Sequence, residues 1–337
     1  MKICTKCVLP ETFPGIKFNE EGICNYCLNF KGQEKLAEQK EKYKAKFELL
    51  FEKHRGKGDY DCLMCYSGGK DSSYTLYILK TEYKARILAV TIDNGFVSER
   101  AFWNIRNVVE SLGIDHYLVK PRFDVLKKIF IACSSKNLYS RKTLERASAI
   151  CTSCMGLVKF ISLRLAIEKD IPFITYGWSP GQAPISSSVF KTNPSMIKSM
   201  QEALKGPMSK VVGDDINPYF LEERHFNDTS KFPYNINPLA FLEYSEEKIF
   251  ETINKLGWKA PDDTDANSTN CLLNSYANIL HIDQFGYHPY AFEIANLVRE
   301  NIIDRDSAIK RLNKNDNFEV VEYVKQKLSF DQLINSR

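Results

Sequence analysis

Residues 61–82 pass from a short apolar run, Asp61 to Tyr66, through Ser67-Gly68-Gly69-Lys70-Asp71-Ser72 into a stretch whose apolar residues recur at helical intervals. That order predicts a buried strand, a tight glycine turn and a helix. Gly68 and Gly69 let the backbone approach an anion, the helix start offers free N–H groups and the positive end of its dipole, and Lys70 adds a point charge. The turn therefore reads as a phosphate cradle. It is not a Walker A loop, which needs a glycine six positions before its lysine, where Met64 stands. A glycine turn with an incidental lysine is the plainer alternative.

Strand and helix patterns alternate after the turn. Residues 86–91, 116–119 and 172–176 read as strands, and 98–112, 123–133 and 155–168 as helices. This predicts an α/β fold with a doubly wound parallel sheet, whose ligands lie beyond the C-terminal strand ends. Asp93 and Asn94 stand at one such end, where an Asn-Gly turn is an equal reading, and Gly177 stands at another. Residues 182–233 lose the pattern and read as an insertion or lid. Ser245 caps a helix to residue 256, and the chain from Pro289 onward reads as helical. Between 31 and 58, a stretch rich in Lys and Glu carries Leu36, Tyr43, Phe47, Leu50 and Phe51 near one face, as a connecting helix with a solvated side would. The expected division is 1–30, 31–58, 59–260 and 261–337.

At 337 residues, 44% hydrophobic and 26% charged, the composition is that of a globular chain, and a net charge of +4 tolerates a phosphate ligand without demanding a nucleic-acid surface. No apolar run approaches the ~18 residues of a membrane span, and Met1 to Lys6 lacks the apolar core of a signal peptide. A cytoplasmic protein is expected.

Ten cysteines are many for a reducing compartment, where clustered thiols bind metal or do chemistry more often than they pair. Cys4-Thr5-Lys6-Cys7 and Cys24-Asn25-Tyr26-Cys27 have the spacing of a four-thiolate zinc ribbon; an iron site or two unrelated pairs are the alternatives. Cys151 and Cys154 stand just before the helix expected at 155, where the dipole favours thiolate. Cys271 ends the polar turn Asn267-Ser268-Thr269-Asn270-Cys271. The plainer reading of Cys151 and Cys154 is a core turn or a second zinc half-site. Cys62 and Cys65, on opposite parity of a strand, and Cys133, at a helix end, read as structural. The five histidines assemble no site.

The run Ser67 to Ser72 resembles the SGGKDS signature of the PP-loop ATP pyrophosphatases, the adenine nucleotide alpha-hydrolase-like superfamily. This implies a Rossmann-like PP-loop domain that binds ATP with Mg2+ through Ser67, Gly68, Gly69, Lys70, Asp71 and Ser72. It also implies adenylation of a substrate oxygen with Lys70 and Asp71 in catalytic positions, and nucleotide contacts from Asp93, Asn94 and Gly177. The N-terminal Cys-Thr-Lys-Cys-Val-Leu-Pro and Gly-Ile-Cys-Asn-Tyr-Cys resemble the N-acetyl-sugar amidotransferases, a branch that implies ammonia from a partner glutaminase subunit. Cys151, Cys154 and Cys271 resemble the cysteine set of iron-sulfur-dependent PP-loop sulfurtransferases, in which three thiolates hold a [4Fe-4S] cluster with one open iron. A persulfide relay between Cys151 and Cys154 is the metal-free counterpart. Ammonia transfer supplies no reason for three such cysteines, so sulfur is preferred, with a sulfur donor, a tRNA or small-molecule substrate, and a homodimer as possible partners. A nucleotide-sensing zinc-ribbon adaptor without catalysis is the remaining alternative.

Overall fold

A computed structural model describes residues 2–136, 138–265, 267–313 and 317–328. In chain order the elements are α1 (Asn25–Leu28), α2 (Gln33–His54), β1 (Cys62–Cys65), α3 (Lys70–Thr81), β2 (Ile87–Ile92), α4 (Glu99–Leu112), β3 (Asp115–Val119), α5 (Phe123–Ser135), α6 (Ala149–Glu168), β4 (Phe173–Tyr176), β5 (Val189–Lys191), α7 (Pro194–Val212), β6 (Tyr234–Ile236), α8 (Glu246–Asn254), α9 (Leu273–Phe285), α10 (Ala291–Arg299), α11 (Arg305–Leu312) and α12 (Phe318–Leu328). The strands form one sheet in the order β3-β2-β1-β4-β6-β5, parallel except for β5, which runs against β6. The chain winds outward from β1 to β3 and then returns to the other side of β1 as β4. The winding therefore reverses between β1 and β4, the place in such sheets beyond whose C-terminal strand ends ligands bind.

Each face of the sheet carries its own core. Cys65 and Leu63 project into the core built with α5, α6 and α9, while Cys62 and Met64 project into the one built with α2, α3 and α4. This is the alternation that a strand buried on both faces requires. Phe47 and Phe51 anchor α2 in the second core against Phe173 and Tyr83. Cys133 is likewise buried, 3.3 Å from Ser153 Oγ.

Three expectations are corrected. The helix expected from residue 155 begins at Ala149, capped by Ser148, whose side chain accepts the Cys151 N–H, so Cys151 and Cys154 lie within α6 and not ahead of it. That helix is also long and apolar enough to cross a membrane by length and composition, contrary to the reading that no such run exists. Most of it is buried inside the protein, packed on β1, β4, α5 and α9, which is why it is largely apolar. Residues 182–233, expected as an insertion or lid, are built into the fold: β5 takes the edge of the sheet by pairing with β6, which follows this stretch at Tyr234–Ile236, and α7 packs on α5 and α6. Three-residue strands such as Tyr234-Asn235-Ile236 are too short to show a period in sequence.

Residues 2–30 share a small separate core with the C-terminal helices. Val8, Leu9 and Phe13 pack against Tyr287, Ala291, Ile294 and Ala308, and Arg305 donates to the carbonyls of Cys4 and Cys7.

Candidate active site

The glycine turn lies between β1 and α3, at the reversal of winding. Gly68 adopts φ +78, a left-handed conformation that L side chains rarely take, and a Cβ there would press on Ile105 and the Ala101 carbonyl. Its own carbonyl accepts the indole N–H of Trp258 at 2.9 Å. A Cβ on Gly177 would run into the backbone of Ser72, so the turn after β4 and the start of α3 touch without side chains between them. The backbone conformation and this close packing shape a tight glycine cradle at the start of α3.

Hydroxyl oxygens meet the N–H groups of that cradle. Ser67 Oγ accepts from Gly69 N–H at 3.4 Å and Thr269 Oγ1 accepts from Lys70 N–H at 3.2 Å. The Lys70 ammonium is buried and reaches Asp71 at 2.9 Å, Glu246 at 3.0 Å and the Tyr244 hydroxyl at 2.7 Å. Burial alone would depress it, but the charges of Asp71 and Glu246 outweigh that and hold it above its ordinary value. Arg311 pairs with Glu246 at 3.2 Å and completes a row of alternating charge. Nearby, Glu293 accepts from Ser179 Oγ at 2.6 Å, and burial, assisted by the charge of Asp71, holds its carboxyl above the usual carboxylate range.

The segment 267–272 crosses from this cradle to the thiols. Cys271 forms an antiparallel bridge with Val97, flanked by Ser98 N–H to the Asn270 carbonyl at 3.0 Å and Leu272 N–H to the Phe96 carbonyl at 2.9 Å. The bridge brings Cys271 to Cys154: the Asn94 side-chain amide lies 3.3 Å from Cys154 Sγ and 3.7 Å from Cys271 Sγ. Asn274 approaches Cys151 Sγ at 3.8 Å and also donates to Tyr290. Three cysteines drawn from α6 and the start of α9 thus face two amide donors.

The thiols are not the thiolates that a helix N-terminus alone would produce. All three residues keep some exposed surface, but burial of the sulfur outweighs the hydrogen bonds from Ser148, Asn94 and Asn274. Burial raises Cys151 to about 11 and Cys154 to about 12, with Cys271 adding to both, and raises Cys271 as well. A bound cation is what would deprotonate them.

Asp93 and Asn94 are used locally in this state. Asp93 accepts the Gly95 N–H at 2.8 Å and pairs with Lys120 at 3.2 Å, while Asn94 accepts the Phe96 N–H at 2.9 Å and faces the sulfurs. Sequence reasoning missed Trp258, Tyr244, Glu246, Thr269, Ser179 and Asn274. The acidic first turn after Ser245 was a visible signal for Glu246, and the polar turn before Cys271 was one for Thr269. Neither says which distant group is met.

The N-terminal cysteines are arranged differently. The sulfurs of Cys4, Cys7, Cys24 and Cys27 all lie within 4.8 Å of one another, with Cys4 to Cys27 at 3.9 Å and Cys7 to Cys24 at 3.7 Å. A tetrahedral ion with bonds of about 2.3 Å to sulfur needs sulfurs ~3.8 Å apart. The quartet fits such an ion. Backbone N–H groups of Cys7 and Cys24 donate to Cys4 Sγ, and Arg299 lies 3.4 Å from Cys7 Sγ and 3.8 Å from Cys27 Sγ. The sulfurs of Cys151, Cys154 and Cys271 do not all close to within 4.8 Å of one another.

No family model matches the sequence. An uncharacterized protein of Methanocaldococcus jannaschii is 25% identical over 319 residues, covering 92% of this chain and 93% of that one. Among solved structures, the U34-tRNA thiolase NcsA from Methanococcus maripaludis, with its [4Fe-4S] cluster, aligns over 98% of this chain and 89% of its own at 17% identity and a TM-score of 0.39. A predicted subunit of a tRNA methyltransferase from Methanocaldococcus jannaschii aligns over 69% of this chain and 91% of its own, at 17% identity and a TM-score of 0.31. Both scores are low, and neither alignment assigns a role to any residue of this chain.

Proposed function

We propose that the chain is an ATP-dependent enzyme of the PP-loop type that activates a substrate oxygen and replaces it with sulfur. One observation carries the reading: a single segment, 267–272, places Thr269 on the Lys70 N–H and Cys271 beside Cys154. Activation and thiol chemistry are thereby neighbours. The segment links them covalently as well.

In this reading the phosphates of ATP, with Mg2+, lie against the N-terminus of α3, where Ser67, Gly68, Gly69 and the first-turn N–H groups meet them. Thr269 Oγ1 and Ser67 Oγ then give up acceptor positions that oxygens of the phosphate take over. Lys70, kept charged by Asp71 and Glu246, stands at the cradle as a fixed positive charge. The substrate oxygen attacks the α-phosphorus and pyrophosphate leaves. A sulfur nucleophile then attacks the activated carbon, and AMP carries away the oxygen.

Cys151, Cys154 and Cys271 suit a [4Fe-4S] cluster as three soft ligands, spaced wider than the quartet and lined by amide donors. When bound, such a cluster supplies an iron with an open position for sulfide. Asn94 and Asn274 hydrogen-bond to the sulfurs and fix their orientation. The quartet suits zinc and holds residues 2–30 on α10 and α11. A sulfur donor and a tRNA base or small metabolite are the partners this chemistry calls for.

Anaerobic purification with iron and sulfide counts tests the reading, together with pyrophosphate release on addition of candidate substrates. The expected protein is brown, holds about four irons per chain in addition to zinc, and loses the irons on Cys271→Ala. A colourless chain holding zinc alone sinks the sulfur chemistry and leaves the ammonia-using amidotransferase, with its partner glutaminase. Absence of pyrophosphate with every substrate leaves the nucleotide-sensing adaptor.

A further inference from the structure

Helix α10 presents Glu293, Asn296 and Arg299 three residues apart, a spacing that keeps them close on one side of a helix. Each makes a different polar contact. Arg299 Nη1 reaches the sulfurs of Cys7 and Cys27, and its Nη2 donates to Asn296 Oδ1. Asn296 turns its other end away and donates to the Gly181 carbonyl at 2.8 Å. Glu293 accepts from Ser179, two residues earlier in the same loop.

The loop 177–181 is held tightly at both ends. At one end a Cβ on Gly181 would collide with the Glu293 carbonyl, and at the other a Cβ on Gly177 would collide with the backbone of Ser72. These contacts join α10 to the start of α3 through the loop. Packing alone does not account for the polar row, because Ala291, Ile294, Ala295 and Leu297 already bury the apolar side of the helix.

We infer that Arg299 and Asn296 are positioning residues that tie the metal-loaded quartet to the loop 177–181, so that nucleotide binds more tightly when the quartet holds its ion. An ion fixes the four sulfurs and so fixes the acceptors that Arg299 faces. Arg299 then orients Asn296, and Asn296 orients the Gly181 carbonyl. The inference rests on the reading of the cradle as a nucleotide site. By thermodynamic reciprocity, nucleotide in the cradle also alters the metal site.

The test uses the full chain with its quartet loaded with zinc or cobalt(II), or stripped by a chelator. Asn296→Asp keeps the acceptor for Arg299 and removes the donor to Gly181, without touching a sulfur. In the unaltered chain, stripping is expected to speed hydrogen exchange of the 177–182 amides and to weaken Mg-ATP binding about tenfold, read as a Kd by calorimetry. The fully loaded Asn296→Asp chain is expected to show the same faster exchange and similar weakening, with little added by stripping. Mg-ATP should shift the cobalt–thiolate absorption of the unaltered chain and leave that of Asn296→Asp in place.

Loop protection in loaded Asn296→Asp equal to that of the unaltered chain overturns the inference, as does a loop in that variant that still responds fully to stripping. If stripping unfolds residues 2–30, the comparison of the two loaded chains still decides. If the loaded, unaltered chain binds no ATP, the nucleotide reading fails while the exchange measurement continues to judge the strut.

Discussion

Cys4 and Cys7 stand on a loop and Cys24 and Cys27 at the cap and within the short helix α1, with all four sulfurs drawn together, whereas Cys151 and Cys154 stand on α6 and Cys271 just before α9, with their sulfurs around Asn94 and Asn274. Four sulfurs at tetrahedral spacing close the shell of one ion and leave it no chemistry. Three sulfurs leave a position unfilled. The supports differ to match. The quartet is surrounded by its own backbone N–H groups, Arg299 and the small core of Phe13 and Tyr287, and in the proposed reading an ion would add most of this small unit's stability. The inner three are carried by elements that a large core already holds, so they can be changed without unfolding the chain.

The largest expected effect comes from that dependence. Cys24→Ser should abolish zinc retention and unfold residues 2–30, because binding to a structural site of this kind is worth roughly 10–16 kcal/mol and is nearly all of such a unit's stability. Proteolysis within 2–30 and loss of zinc check it; a variant that resists protease and keeps zinc would break the contrast. Cys154→Ala should remove iron from an anaerobic preparation yet cost only about 1–2 kcal/mol of stability in denaturant melts. A global loss as large as that of the quartet variant would show the two regions to be alike.

Asn94→Ala should retain the fold and lower iron retention roughly 10–100-fold, measured by chelator competition, because an outer hydrogen bond tunes a ligand without supplying it. Its loss of the Phe96 N–H bond adds about 1 kcal/mol of destabilisation. A further expectation concerns pH in the metal-free chain. The Cys151 thiol, ordinarily near 9.0, is raised to about 11 by burial, so the folded chain holds a proton that the unfolded chain releases. That contribution is complete below pH 9.0 and is lost as pH rises through about 11. Urea midpoints should fall across that window, and less so in Cys151→Ala.

Much of the fold is legible in the sequence because local chemistry dictates it. Gly68 at φ +78 is a position glycine fills without strain, and the apolar runs at β1, β2 and β4 state that both faces are covered. The start of α6 is hard to place because Cys151 to Cys154 look like a reactive turn, while the cap that starts the helix is a single serine at 148. The edge pair β5 and β6 escapes notice because three residues carry no readable period.

The glycine turn between β1 and α3, the pairing of Cys4 and Cys7 with Cys24 and Cys27, and the parallel sheet can all be read before folding, since each depends on residues near one another or on a repeating pattern. Folding alone reveals that Lys70 answers to Glu246 and Tyr244, that Cys271 crosses 117 positions to share an amide with Cys154, and that Arg299 faces the quartet. Those are meetings of single side chains across long loops. Closing such loops costs entropy that grows only slowly with length, so no spacing rule marks them in advance.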